Sequence, residues 1–171
     1  VEAVKETVAE IKSKENVDMI VCISHSGTNV NKEKSEDEIL AKEVPELDLI
    51  VSGHTHTKLD EPIRHGNTYI VSCAEYGKYL GGLTMTQNGA GRWNITEYTL
   101  TPVTTDVAQD AQMQQVVDKF MSLVDSKYLE QFGYTMDQVL CTNEVQFASL
   151  RDIYDVHEEL NLGSVIADAY T

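Results

Sequence analysis

Two short apolar runs, Met19–Ile23 and Leu47–Val51, constrain this chain more than any other feature. The first is continuous and rich in β-branched residues, which predicts a strand buried on both faces of a parallel sheet, and the second reads as the next buried strand. Between them, Ser35-Glu36-Asp37-Glu38 spells a capping box with Glu38 at the third helical position. A short helix is therefore expected from about Glu36 to Glu43, and Pro45 stops it. A strand–helix–strand unit predicts two parallel strands joined by a right-handed crossover. The strands are either neighbours ~4.8 Å apart or separated by another strand. In both arrangements their carboxyl ends share one edge of the sheet, where ligand sites of open α/β sheets form.

Histidines follow both runs: His25 after the first, His54 and His56 after the second. A metal-bound imidazole sits ~2.0–2.1 Å from zinc, so ligands sharing a site must hold their rings close. A His-x-His pair in an extended stretch projects both rings from one side. Gly53 lets the chain turn sharply before the first of them. His25, His54 and His56 are thus candidate metal ligands. Alternatively, they only satisfy hydrogen bonds in a polar loop. Three neutral histidines could complete a mononuclear zinc site with a water. A two-metal hydrolytic site needs more donors and a bridging carboxylate, and none stands out nearby. Asp60 and Glu61 read as hairpin surface.

Around this unit, Val4, Val8 and Ile11 predict an amphipathic helix over 2–14. Pro62-Ile63, the turn His65-Gly66-Asn67 and Thr68–Val71 read as a hairpin, with His65 on the surface. Leu80–Thr86 and Trp93–Leu100 read as another, so this half is antiparallel or mixed sheet, with glycines at 77, 81, 82, 89 and 91 marking turns and bulges. Asp106 is expected to open a long helix to about Gln131, striped by Met113, Val117, Phe120 and Val124. Gln138–Phe147 reads as a strand, and Asn161–Tyr170 as a helix capped by Asn161. Asp155-Val156-His157 is a metal-like spelling without structural context and is set aside. Asn94-Ile95-Thr96 is a formal glycosylation sequon.

A chain of 171 residues is enough for one domain and short for two. Its formal charge of −15 argues against a nucleic-acid polymer as partner, because such affinity comes from Lys and Arg on phosphates. A small phosphorylated substrate stays compatible, since bound divalent cations invert the local field. No apolar run approaches the ~20 residues that span a bilayer. Cys22, Cys73 and Cys141 form no C-x-x-C pair, and Cys22 and Cys73 read as buried free thiols. The chain opens inside a helix, as expected of part of a longer protein.

Ser24-His25-Ser26-Gly27, Gly53-His54-Thr55-His56 and Tyr76-Gly77-Lys78-Tyr79-Leu80-Gly81 resemble, in that order, the C-terminal part of a calcineurin-like metallophosphoesterase domain. Asn161-Leu162-Gly163-Ser164-Val165-Ile166-Ala167-Asp168-Ala169 resembles the first helix of the C-terminal domain of the 5′-nucleotidase family. Together they point to the secreted 5′-nucleotidase and 2′,3′-cyclic-nucleotide phosphodiesterase proteins. The resemblance implies an α/β (α+β) fold: part of a four-layer αββα sandwich over 1–105, a connecting helix over 106–131, and an incomplete second α+β domain over 132–171.

It also implies two divalent metal ions in the intact enzyme (zinc, manganese, iron or similar), with His25 and His54 on one and His56 on the other. These activate a water for attack on a phosphate ester, with a nucleotide as substrate. The family's Asp-x-His, Gly-Asp-x-x-Asp and Gly-Asn-His-Glu/Asp motifs have no copy here. The catalytic residues are therefore expected upstream, in the missing N-terminal part, and the segment alone is expected to hold a partial site and hydrolyse nothing. Export is implied by the resemblance alone. The alternatives are a non-catalytic surface or binding module that retains the fold, and a mononuclear zinc-binding domain.

Overall fold

The structure, a computed structural model, describes residues 1–155 and 158–171, and only the backbone of Leu150. The chain forms two compact units, Val1–Ala108 and Gln109–Thr171. In the first, helix α1 (Glu2–Lys14) leads into strand β1 (Val21–Ser24), and helix α2 (Glu36–Glu43) connects it to β2 (Leu49–Ser52). Strands β3 (Ile63–His65) and β4 (Thr68–Val71) form the first hairpin; β5 (Tyr79–Gln87) and β6 (Trp93–Pro102) form the second. One sheet has the order β1-β2-β4-β3, and β5-β6 is a separate two-stranded sheet.

β1 and β2 are direct neighbours and parallel, in the register Val21↔Leu49 through Ser24↔Ser52. β4 adds parallel to β2, and β3 antiparallel to β4, so the sheet is mixed. Alternation along the strands sends Ile50 and Ile70 to one face. There they meet Val8, Leu40, Ala41, Val44 and Leu47. Leu49, Tyr69 and Val71 face the other way, against Leu83, Met85, Ile95 and Tyr98 of the second hairpin. The layers are thus helices, mixed sheet, hairpin.

β1 departs from the expectation of burial on both faces. It lies at the sheet edge, and Ile23 is 88% exposed. Cys22 and Ile20 pack towards the helices, but the hairpin covers only β2 and β4. A run of β-branched residues encodes a strand, not how many layers cover it. Cys73 is likewise exposed and Cys22 half-buried; both thiols are free, as is that of Cys141.

Helix α2 covers the predicted span, yet its cap differs. Ser35 Oγ donates to the Glu38 carboxylate at 2.8 Å and accepts from Asn29 N at 3.0 Å, rather than bonding the helix backbone. Glu38, 2% exposed, also accepts from Lys32 Nζ at 2.7 Å and from His65 Nε2 at 2.8 Å. His65 is therefore no free surface residue. It ties the β3–β4 turn to α2.

In the second unit, helix α3 (Ala111–Val124) is capped by Asp110, which accepts from Gln112 N and Met113 N. The helix starts later than Asp106 would have placed it, because a second aspartate four residues on holds the cap. A π-helical turn (Asp125–Leu129) and a 3-10 turn (Glu130–Phe132) carry it onward, and Gly133 ends it in the left-handed region. Residues 138–147 form no strand, since no partner strand pairs with them among the described residues. Helices α4 (Leu150–Asp155) and α5 (Asn161–Ala169) follow. Asn161 does not cap α5; Leu160 is the cap residue. The Asn161 side chain accepts from Ala148 N and donates to Gln146 O instead. The histidine of the Asp155-x-His157 pattern lies outside the described residues.

Two outcomes follow for stability. Ile50 is fully buried at the sheet centre, so Ile50→Ala should lower unfolding free energy by about 3 kcal/mol in urea titration. A loss under 1 kcal/mol would mean the helix layer does not pack there. Burial opposes charge on Glu38, but hydrogen bonds from Lys32, His65 and Ser35 outweigh it and hold the carboxyl at about 2, from an ordinary 4.5. The folded value lies below the unfolded one, so the stabilisation is full above pH 4.5 and is lost as pH falls towards 2. Wild type should exceed Glu38→Gln by roughly 2–3 kcal/mol near pH 7, with the gap closing across that acid window in pH-dependent thermal melts. A gap that does not narrow there contradicts this account.

Candidate metal centre

The candidate centre lies at the carboxyl edge of the parallel strands. β1 ends at Ser24, directly opposite Ser52 at the end of β2. The ladder gains one more bond, from Gly53 N to Ser24 O at 3.0 Å. His25 and His54 therefore leave the sheet side by side, and their ring centroids are 5.0 Å apart with planes tilted by 59°. Two imidazoles ~2.1 Å from a shared ion place their centroids roughly 4.5–5.5 Å apart. The spacing suits a common cation.

Gly53 is needed for this closeness, not for a left-handed turn. A Cβ there would meet His25 Nδ1 at 3.2 Å and Ser24 O at 3.4 Å. The left-handed conformations fall on the histidines themselves, at φ 71° for His54 and 55° for His56. Thr55 N bonds back to Gly53 O at 2.9 Å and tightens the turn. The His-x-His stretch is thus not extended, and side-chain alternation does not apply to it. The rings part: His54 faces His25, and His56 meets the Tyr76 ring edge-on at 5.1 Å.

Tyr76 is 84% exposed and, with Ala74, is also left-handed, at φ 57° and 66°. All four non-glycine residues with positive φ among those described lie in the loops after β2 and β4. Each costs on the order of 1 kcal/mol, and such strain gathers at functional sites. The β4 loop is pinned by Ser72 Oγ to Thr57 O at 2.7 Å and Ala74 N to Thr57 O at 3.2 Å. Lys78 pairs with Glu75 beside it, and the bond to Lys78 holds the Glu75 carboxyl below its usual range.

A carboxylate approaches these loops as a hydrogen-bond acceptor. Asp37 of α2 accepts from Ser24 Oγ at 2.5 Å, Gly27 N at 3.1 Å and Ser52 Oγ at 2.5 Å. In the sequence it is hidden as one of three acidic residues in a first helical turn, where the helix dipole alone accounts for them. Asp60 lies on the surface, paired with Lys58 at 2.5 Å.

As a donor set for a cation the centre is partial. The imidazole pair fits, but no group of three His, Cys, Asp or Glu side chains converges among the described residues.

No family model matches the chain. It is similar to the trifunctional nucleotide phosphoesterase protein YfkN of Bacillus subtilis, 28% identical over 98% of this chain and 11% of that protein. It is also similar to the 5′-nucleotidase of Vibrio cholerae, 34% identical over 60% of this chain and 22% of that protein. Among solved structures it resembles the sulfate thiohydrolase SoxB of Thermus thermophilus, with a TM-score of 0.54, 24% identity, and coverage of 72% of this chain and 21% of that one. The named relatives and structural neighbours support a metallophosphoesterase of 5′-nucleotidase type. The chain spans from 11% to 38% of the length of the curated relatives it matches. The mixed α/β fold is that of its metallophosphoesterase-fold structural neighbours.

Gly27 tests the packing of the two loops. Its φ is +88°, and a Cβ would lie 2.4 Å from Thr55 Cγ2 and 3.0 Å from Gly53 O. Gly27→Ala should therefore cost about 2–4 kcal/mol through strain and overlap, measured by chemical denaturation. A variant as stable as wild type would show that the loops do not interlock as described.

Proposed function

We propose that this chain is part of a metal-dependent nucleotide phosphoesterase, and that His25, His54 and His56 are its contribution to a two-metal centre. The observation that carries the proposal is the imidazole pair: neighbouring parallel strands bring His25 and His54 to 5.0 Å at the carboxyl edge of the sheet. The kinship with a nucleotide phosphoesterase and a 5′-nucleotidase supports the substrate class. His25 and His54 would serve one ion, and His56, turned to Tyr76, the other. When bound, divalent ions supply Lewis acidity and a water acidified towards neutral pH.

The residues of this chain hold the donors in position. Gly53 admits the His25 ring, and the turn at Thr55 aims His54 and His56 in different directions. The bridging carboxylate and the group that protonates the leaving oxygen would come from outside these residues. The segment alone would then bind metal weakly and hydrolyse nothing. Imidazole donors suit zinc and iron alike. The net charge of −15 disfavours nucleic-acid polymers, while cations at the site would attract a small phosphate ester. Export is part of the proposal, supported by the venom 5′-nucleotidases among the relatives. Among the described residues no helix is long and apolar enough to cross a membrane.

Phosphate release from adenosine monophosphate by the whole protein tests this. Activity should vanish with a chelator and return with zinc or manganese. His54→Ala should lower kcat/KM by roughly a hundredfold or more, the loss of several kcal/mol of charge stabilisation. Wild-type turnover by that variant would sink the proposal.

A further inference from the structure

The geometry points to Asp37 as a positioning residue, a buried carboxylate that locks the His25 loop and the His54–His56 loop into one unit. The inference rests on the proposed role of His25 and His54 as ligands. Asp37 is fully buried in the first turn of α2. Oδ1 accepts from Ser24 Oγ; Oδ2 accepts from both Gly27 N and Ser52 Oγ. The backbone closes the same contact from the other side, because Asp37 N donates to Gly27 O at 3.0 Å. Ser24 Oγ in turn accepts from Ser26 N at 3.2 Å.

These bonds bracket the ligands. His25 lies between Ser24 and Ser26, both tied to the Asp37 network, and Gly27 follows. Ser52 stands two residues before His54. Gly27 then abuts Thr55, and Thr28 N donates to Thr55 Oγ1 at 3.2 Å, which joins the loops a second time. All three donors to the carboxylate come from the loops and strand ends, and none from α2. A helix-capping role would have drawn on the amides of α2 itself.

The chemistry also selects a carboxylate. Three donors converge on it, and an ionised carboxylate only accepts. An asparagine would turn its NH2 towards at least one of these donors. Turned to the Oδ1 side, that NH2 would force the Ser24 hydroxyl to accept instead of donate; turned to the Oδ2 side, it would meet the Gly27 N–H, which cannot reverse its role. Positioning partners of this kind typically alter metal affinity by ~10–100-fold.

The test compares Asp37→Asn, Ser52→Ala and His54→Ala with wild type in the 171-residue chain. Two readouts are used: the metal-free NOE between His25 Hε1 and Gly53 Hα, and the calorimetric affinity for zinc alone. Asp37→Asn and Ser52→Ala should weaken the NOE and reduce zinc affinity at least tenfold. If both variants keep the NOE and a zinc affinity within twofold of wild type, Asp37 is merely structural, whatever happens to Tm. A lost NOE with unchanged affinity overturns the inference as well. Should Asp37→Asn fail to fold by circular dichroism, Ser52→Ala, which keeps two of the three bonds, decides by the same criteria. If His54→Ala binds zinc like wild type, or the chain takes up none, the ligand assignment falls. The NOE comparison then decides alone whether Asp37 locks the loops.

Discussion

In-register parallel pairing of β1 with β2 is the contact on which the rest of this structure depends. It sets Ser24 opposite Ser52, and so starts the two histidine-bearing loops from adjacent points. Register matters twice here. A slip of one residue would turn Ile50 from the helix layer to the hairpin layer, because side chains alternate with period two. The same slip would carry Ser52 away from Asp37 and separate the loops. Burial of Ile50 and Ile70 under α1 and α2 therefore holds the candidate centre together as much as any bond within it.

Helix α2 is the second organising part, and it works through consecutive acidic residues. Asp37 and Glu38 are both buried, yet they serve different neighbours. Asp37 binds the ends of β1 and β2, while Glu38 binds the 3-10 turn (Lys32–Lys34) through Lys32 and the β3–β4 turn through His65. Buried carboxylates are tolerated when hydrogen bonds replace the lost water. Each accepts from three donors here, so neither buried carboxylate is left without hydrogen-bond partners. Hydrogen bonds to charged groups contribute about 1.5–3 kcal/mol each, comparable with burying a large aliphatic side chain.

Local pattern and tertiary context parted at identifiable residues. Met19–Ile23 encoded a strand, but Ile23 lies open because coverage depends on which layers reach the sheet edge. Ser35 and Glu38 carried the spacing of a capping box, yet bond each other once Lys32 and His65 compete for the same carboxylate. The shift of α3 from Asp106 to Asp110 reflects two equally good caps one turn apart. His65 looked like a turn residue because its partner is twenty-seven positions away in sequence.

What the sequence alone determined is the strand–helix–strand unit, the shared edge of its strand ends, the two hairpins and the family motifs, since each rests on residues close in the chain. Only the tertiary structure decided that β1 and β2 are neighbours, that His54 faces His25 while His56 turns to Tyr76, and that Asp37 spans both loops. The reason is physical. Backbone propensity and periodicity act over a few residues, whereas a ring's direction and a carboxylate's partners are chosen by whatever the fold brings alongside.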